Sequence, residues 1–155
     1  MRDVRSLDSA ELASAGIRAL LLDVDNTLLP RDTADVAPDV RAWIASLEAV
    51  GIAAYLVSNN WHDDIHDRAA AIGLPVVAKA CKPLPFGFRV AMRRLGRKPS
   101  ECAVVGDQIF TDVLGGNLVG SLTVLVQPLS ESDLPHTLVL RRLERFIMAG
   151  RSPAA

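Results

Sequence analysis

Apolar runs that stop abruptly at a carboxylate or a hydroxyl are the most constraining feature of this 155-residue chain. Residues 17–22 run into Asp23-Val24-Asp25, residues 52–57 into Ser58, and residues 102–105 into Gly106-Asp107. Residues 76–78 and 122–126 are two further short apolar runs. Continuous apolar runs of this length predict strands buried on both faces, as in parallel sheets. The intervening segments have helical character. Residues 38–50 place Val40, Trp43, Ile44 and Leu47 at helical spacings, with Pro38 suited to the first turn and Gly51 to the stop. Further helices are predicted at 62–72, 84–95, 112–119 and 137–148, with residues 151–155 frayed.

Strands alternating with helices imply a three-layer, doubly wound parallel sheet of five core strands. Ligands bind such sheets beyond the carboxyl ends of the strands. Asp23, Asp25, Ser58 and Asp107 all fall there. No repeat or linker divides the chain, so residues 1–155 are expected to form one domain, with its core in 17–148.

Composition narrows the function classes. Half of the residues are hydrophobic, and 17 basic residues face 18 acidic ones for a net charge of −1, so no bulk charge argues for nucleic acid. Mean hydropathy is +0.24. The longest uncharged stretch, 113–130, is interrupted by Gly115, Gly116, Asn117, Gly120 and Pro128 and cannot be a spanning helix. Asp3, Asp8 and Glu11 occupy the place of a signal peptide's apolar region. Cys81 and Cys102 form no disulfide pattern. The expectation is a cytoplasmic protein.

Two carboxylates leaving one strand end repel each other, and a hard divalent cation such as Mg²⁺ would relieve the repulsion. Asp107 ends another apolar run, and Asp112 follows at a predicted helix start, where it also reads as an N-cap. Gly106 would let backbone approach a metal or ligand closely. The Ser58 hydroxyl and the following N–H groups can hold a phosphate oxygen, although a serine there also reads as a turn residue. Lys82, before Pro83, could neutralise phosphate and nucleophile together, or be a solvated surface lysine. His62 and His66, one helical turn apart, read as a solvated face, Cys81 as a packed thiol and Trp43 as core.

Taken in order, Asp23-Val24-Asp25-Asn26-Thr27, Ser58-Asn59-Asn60, Lys82 and the string from Gly106-Asp107 through Asp112 to Asn117 resemble the four motifs of the haloacid dehalogenase (HAD) superfamily of phosphohydrolases. The longer strings resemble its subclass IIIA, the YqeG / phosphatidylglycerophosphatase-like branch. The resemblance implies an Asp23 nucleophile and an Asp25 acid/base. It implies Mg²⁺ held by Asp23, the Asp25 carbonyl, Asp107 and Asp112, phosphate oxygens bound by Ser58, Asn59 and Lys82, and a loop ordered by Thr27. Only ten residues, 28–37, separate Thr27 from Pro38, and one helix and one strand fill 59–81, so no cap domain is expected. An open site suits a phosphate on a large molecule or at a membrane surface. The branch implies phosphatidylglycerol phosphate; a nucleotide, sugar or protein phosphate is the alternative. A response-regulator receiver would carry its phosphoacceptor on a strand midway along the chain, away from the acidic pair, whereas here the Asp-x-Asp-x-Thr string ends the first strand; a silent binding module would lack a motif residue, and none is missing. In the predicted last helix, Val139, Leu140, Leu143, Phe146 and Ile147 share one side, and Arg141, Arg142 and Arg145 share the other. Those arginines are expected either to be solvated or to meet anionic headgroups in a weak peripheral contact.

Overall fold

The computed structural model describes residues 3–30 and 35–129. Its strands are β1 (Ala19–Leu22), β2 (Ala53–Val57), β3 (Val76–Val77), β4 (Cys102–Gly106) and β5 (Leu122–Leu125). All pair in parallel, in the order β3-β2-β1-β4-β5. The chain therefore winds outward from β1 through β2 to β3, then crosses to β4 on the other flank of β1. The topological switch point lies between β1 and β4, where such sheets bind ligands.

The helices are α1 (Ser9–Ser14), α2 (Pro38–Ala49), α3 (Asp64–Ile72), α4 (Phe86–Leu95) and α5 (Leu114–Val119). Side chains alternate across the pleat and divide the core in two. Leu20, Leu22, Leu56 and Val105 pack with Trp43, Leu47 and Ile65 on the α2–α3 face. Leu21, Tyr55, Val57 and Val104 pack with Phe88, Ala91 and Met92 on the α4–α5 face. The five predicted strands and the helices between them are present, with no inserted cap among the described residues.

The differences from expectation are local. Helix α1 was not anticipated: it is six residues long, with Leu12 as its one buried side chain, too short for a periodic signal. Its start was nonetheless written in the chain. Asp8 accepts from the backbone N–H groups of Ala10 (2.8 Å) and Glu11 (2.9 Å) as an N-cap. Helix α3 begins at Asp64 rather than residue 62, because the Asn60 side chain takes the His62 N–H at 2.8 Å and closes a turn there. Asp112 does not begin a helix; it lies within a π-helical turn, Ile109–Val113, that precedes α5. Trp43 is buried and donates its indole N–H to the Leu7 carbonyl at 3.0 Å. The predicted helix at 137–148, with Arg141, Arg142 and Arg145, and the tail at 151–155 lie outside the described residues.

Candidate active site

Strand register assembles the site. Leu22 pairs with Leu56 on one side and Val105 on the other, so the ends of β2 and β4 lie level with the end of β1. Asp23 follows β1 and donates its backbone N–H to the Val105 carbonyl at 2.9 Å. Asp107 follows β4 directly. The π-helical turn then folds Asp112 back over the end of β4, where its carboxylate accepts the Gln108 N–H at 3.2 Å. Gly106 makes room for this: a Cβ there would lie 2.2 Å from Asp112 Cγ. The glycine thus accommodates a neighbouring carboxylate, a closer reason than the ligand approach expected from sequence. One carboxylate oxygen from each of Asp23, Asp107 and Asp112 lies within 4.8 Å of the others, and all three residues are buried.

Lys82 enters the cluster from the loop before α4. Its Nζ donates to Asp23 Oδ1 and to Asp112 Oδ1, each at 2.6 Å, and its side chain is 3% exposed. That burial excludes a solvated surface lysine. The backbone that delivers it is clamped by Asn59, whose Oδ1 accepts the Lys82 N–H at 2.6 Å while its Nδ2 donates to the Lys82 carbonyl at 3.0 Å. The Asn59 side-chain amide is spent on the lysine loop, a pairing across 23 positions that nothing in the local sequence marks. Ser58 is fully buried, and its hydroxyl accepts the Asn60 N–H at 3.1 Å. Thr27 Oγ1 lies 3.5 Å from Asp23 Oδ2. Cys81, expected to be packed, is exposed; its backbone is left-handed (φ +55°), and the next residue, Lys82, is the buried one. His62 and His66 are exposed and lie outside the metal-competent group found among the described residues.

Burial and charge oppose each other here. Burial pushes the Asp23 carboxyl well above its ordinary range; Lys82 pulls it down, and Asp112 and Asp107 add to the rise. Burial also disfavours the charged Lys82, but Asp112 and Asp23 outweigh it and hold the ammonium above the usual lysine range. Three carboxylates against one ammonium leave a formal excess of two negative charges in a buried space. An oxygen-only donor set with that excess fits a hard divalent cation such as Mg²⁺ and offers no nitrogen or sulfur that zinc would favour.

Asp25 takes a separate path. Its Oδ1 accepts from Arg68 Nη1 at 2.6 Å, so its carboxylate is directed to α3, outside the three-carboxylate group. The resemblance implied the Asp25 backbone carbonyl, not its carboxylate, as a metal ligand, so this pairing does not bear on that expectation. Arg68 was not anticipated as a site residue. A signal was available: an arginine shares the buried face of α3 with Ile65, Ala69 and Ile72, where an apolar side chain would be expected.

The sheet places buried acidic groups, a hydroxyl and a lysine together at its switch point. Residues 5–120 match the family model described as haloacid dehalogenase-like hydrolase, and the chain belongs to that family. It is 33% identical over 149 residues to the probable phosphatase YqeG of Bacillus subtilis, covering 96% of this chain and 87% of that protein. It is 36% identical to the chloroplastic phosphatidylglycerophosphate phosphatase 1 of Chlamydomonas reinhardtii, covering 95% of this chain but 58% of that protein. Among solved structures, NagD from Escherichia coli K-12 shares the fold, with a TM-score of 0.61 at 14% identity, over 77% of this chain and 93% of that one. The chain is thus an enzyme of the HAD family's phosphatase kind.

Proposed function

We propose that the protein is a Mg²⁺-dependent phosphomonoester hydrolase that works through an aspartyl-phosphate on Asp23, with a lipid phosphate such as phosphatidylglycerol phosphate as substrate. The observation that carries the reading is the buried group of Asp23, Asp107 and Asp112 with the Lys82 ammonium 2.6 Å from two of them. Asp23, Asp107, Asp112 and the Asp25 carbonyl would hold the cation. When bound, it supplies charge neutralisation that lets an anionic carboxylate meet an anionic phosphoryl group.

In the first step an Asp23 carboxylate oxygen attacks phosphorus, the P–O ester bond breaks, and the leaving alcohol takes a proton from Asp25. In the second, Asp25 removes a proton from water, the water oxygen attacks phosphorus, and the Asp23–phosphorus bond breaks to release inorganic phosphate. Lys82 and Ser58 hold phosphoryl oxygens. Thr27 orders the turn after Asp23, and Asn59 fixes the Lys82 backbone through its two hydrogen bonds.

Two features support a large or lipid substrate. No inserted cap encloses the site among the described residues. The loops that follow Ser58 and Lys82 expose Trp61 and Leu84, and the first residue of α4 exposes Phe86, apolar side chains suited to hydrocarbon beside a phosphate. The plastid relative named for this substrate points the same way. None of the described helices is long and apolar enough to cross a membrane.

The test is phosphate release by purified protein across a panel of phosphatidylglycerol phosphate in mixed micelles, sugar phosphates, nucleotides and a phosphopeptide. The lipid should be turned over best, Asp23→Asn should fall to background, and Asp25→Asn should lose about 10²–10⁴-fold. Turnover that survives in Asp23→Asn would overturn the covalent mechanism. A preference for a soluble ester would overturn the lipid assignment alone.

A further inference from the structure

We propose that Arg68 is a positioning residue for proton transfer: through one guanidinium it docks the turn that follows Asp23 onto α3 and sets the place of the Asp25 carboxylate. The inference rests on the reading of Asp25 as the acid/base.

The turn is stiff in itself. The Leu28 and Leu29 N–H groups both donate to the Val24 carbonyl at 3.1 Å, and the Asn26 N–H donates to the Leu29 carbonyl at 2.7 Å. Asn26 takes a left-handed conformation (φ +62°), and Val24, Leu28 and Leu29 are buried beneath. A stiff turn still needs its orientation fixed. Arg68 supplies two bonds of different kinds to its two ends: Nη1 to Asp25 Oδ1 at 2.6 Å and Nη2 to the Pro30 carbonyl at 3.1 Å. A guanidinium can do this because its donors diverge in a rigid plane, whereas a lysine offers one charged point.

The packing around it gives arginine no other evident task. Its side chain is 5% exposed on the apolar face of α3, and its Nε is buried without a hydrogen-bond partner. A fully buried charge with an unpartnered donor opposes folding relative to an apolar side chain of similar volume. Such a cost is expected where function demands an exact geometry. The geometry in question is the separation of two carboxylates that leave one strand end. Lys82 draws Asp23 into the cluster with Asp107 and Asp112, and Arg68 draws Asp25 out of it. Asp25 stays partly accessible, at 16% side-chain exposure, where a leaving alcohol or a water can reach it.

The experiment is a double-mutant cycle on the 155-residue chain with Mg²⁺, using Arg68→Gln, Arg68→Lys and Asp25→Asn singly and combined. Thermal unfolding should establish that each variant is folded. Arg68→Gln should lower kcat on an alkyl phosphate by on the order of 10²-fold, as a misplaced catalytic group does, with KM little changed. Arg68→Lys, keeping the charge without the fork, should recover part of that loss. In the Asp25→Asn background either change should cost less than about threefold, because the group it positions is already gone. With p-nitrophenyl phosphate, whose leaving group needs no proton, the burst of nitrophenolate should stay near the wild-type rate in Arg68→Gln. Losses that multiply in the double variant, or an unchanged kcat in Arg68→Gln, would overturn the positioning role. Failure of both Arg68 variants to fold would assign the residue to the scaffold and overturn it too. If Asp25→Asn itself retains full activity, the acid/base reading fails, which is a different result from failure of the Arg68 inference.

Discussion

Two parts of this molecule each set one cation between two carboxylates, and they differ in almost everything else. At the surface Arg5 pairs with Asp3 and Asp39, at side-chain exposures of 39%, 21% and 54%. In the site Lys82 pairs with Asp23 and Asp112, at 3%, 7% and 2%. At the surface the neighbour decides: the Arg5 guanidinium holds the Asp3 carboxyl below its ordinary range. In the site burial decides: Asp23 is pushed upward even with an ammonium 2.6 Å away, because removal from water outweighs the attraction. The surface trio serves local structure, since Asp3 also accepts the Arg5 N–H at 2.8 Å and caps the turn over Val4–Ser6. The buried trio, with Asp107 beside it, stores a charge imbalance that a cation can relieve.

The comparison breaks most visibly at its two cations. Lys82→Met should destabilise the metal-free protein by about 3–5 kcal/mol at pH 7, because two buried carboxylates lose the ammonium that pairs with both. Denaturant unfolding with chelator present measures it, and a loss below about 1 kcal/mol would mean the carboxylates are better solvated than their burial indicates.

The next effect is that of metal. Mg²⁺ at a hundred times its dissociation constant should stabilise the wild type by about 2.7 kcal/mol, reversibly with chelator. Asp107→Ala should remove most of this shift. An equal shift in wild type and variant would place the binding elsewhere, and phosphatase activity in chelated buffer would remove the metal from the mechanism.

The pH dependence should differ between the two regions in sign. Asp23 binds its proton more tightly folded than unfolded, so its ionisation costs stability. That cost is absent below about pH 4 and grows as pH rises through the raised folded value. Metal-free Asp23→Asn should therefore gain on the wild type as pH rises from 4 toward 8. The same gap at both pH values would contradict the shift. Asp3 has the opposite sign. Its depressed value gives stability that is present above about pH 4 and lost as pH falls below it.

The smallest effect is expected at the surface itself. Arg5→Gln should change stability by less than about 1 kcal/mol, and the difference should shrink in high salt. A loss as large as that of Lys82→Met would erase the distinction drawn between the regions.

Much of this was legible in the chain because it rests on local signals. Unbroken apolar runs marked the five strands, of which β1 and β4 are buried at every residue while the edge strand β5 leaves Leu122 exposed, and Pro38 and Gly51 bracketed α2 within one residue of its observed end. The abrupt stops at Asp23, Ser58 and Asp107 put those residues at one edge of the sheet, since parallel strands end together. The ends of α3 and α5 were marked by Gly73 and Gly120, both left-handed, whereas the start of α3 was set by the Asn60 side-chain turn and that of α5 by the π-helical turn before it, neither of which periodicity shows.

What the amino-acid order determined by itself was the set of elements, the sheet that could bury them, and the residues left at the strand ends. Those follow from periodicity, from chain stiffness at proline and glycine, and from the cost of burying charge without reason. Tertiary structure alone decided which of those polar groups meet. Asn59 turned to the Lys82 backbone, Asp25 to Arg68, and Asp112 over Gly106; these pairs are separated by 23, 43 and 6 positions. The physical reason is that a buried donor or acceptor must find its partner wherever the packed elements bring one. That choice depends on the register of β1 with β2 and β4 and on the docking of α3, not on neighbours in the chain.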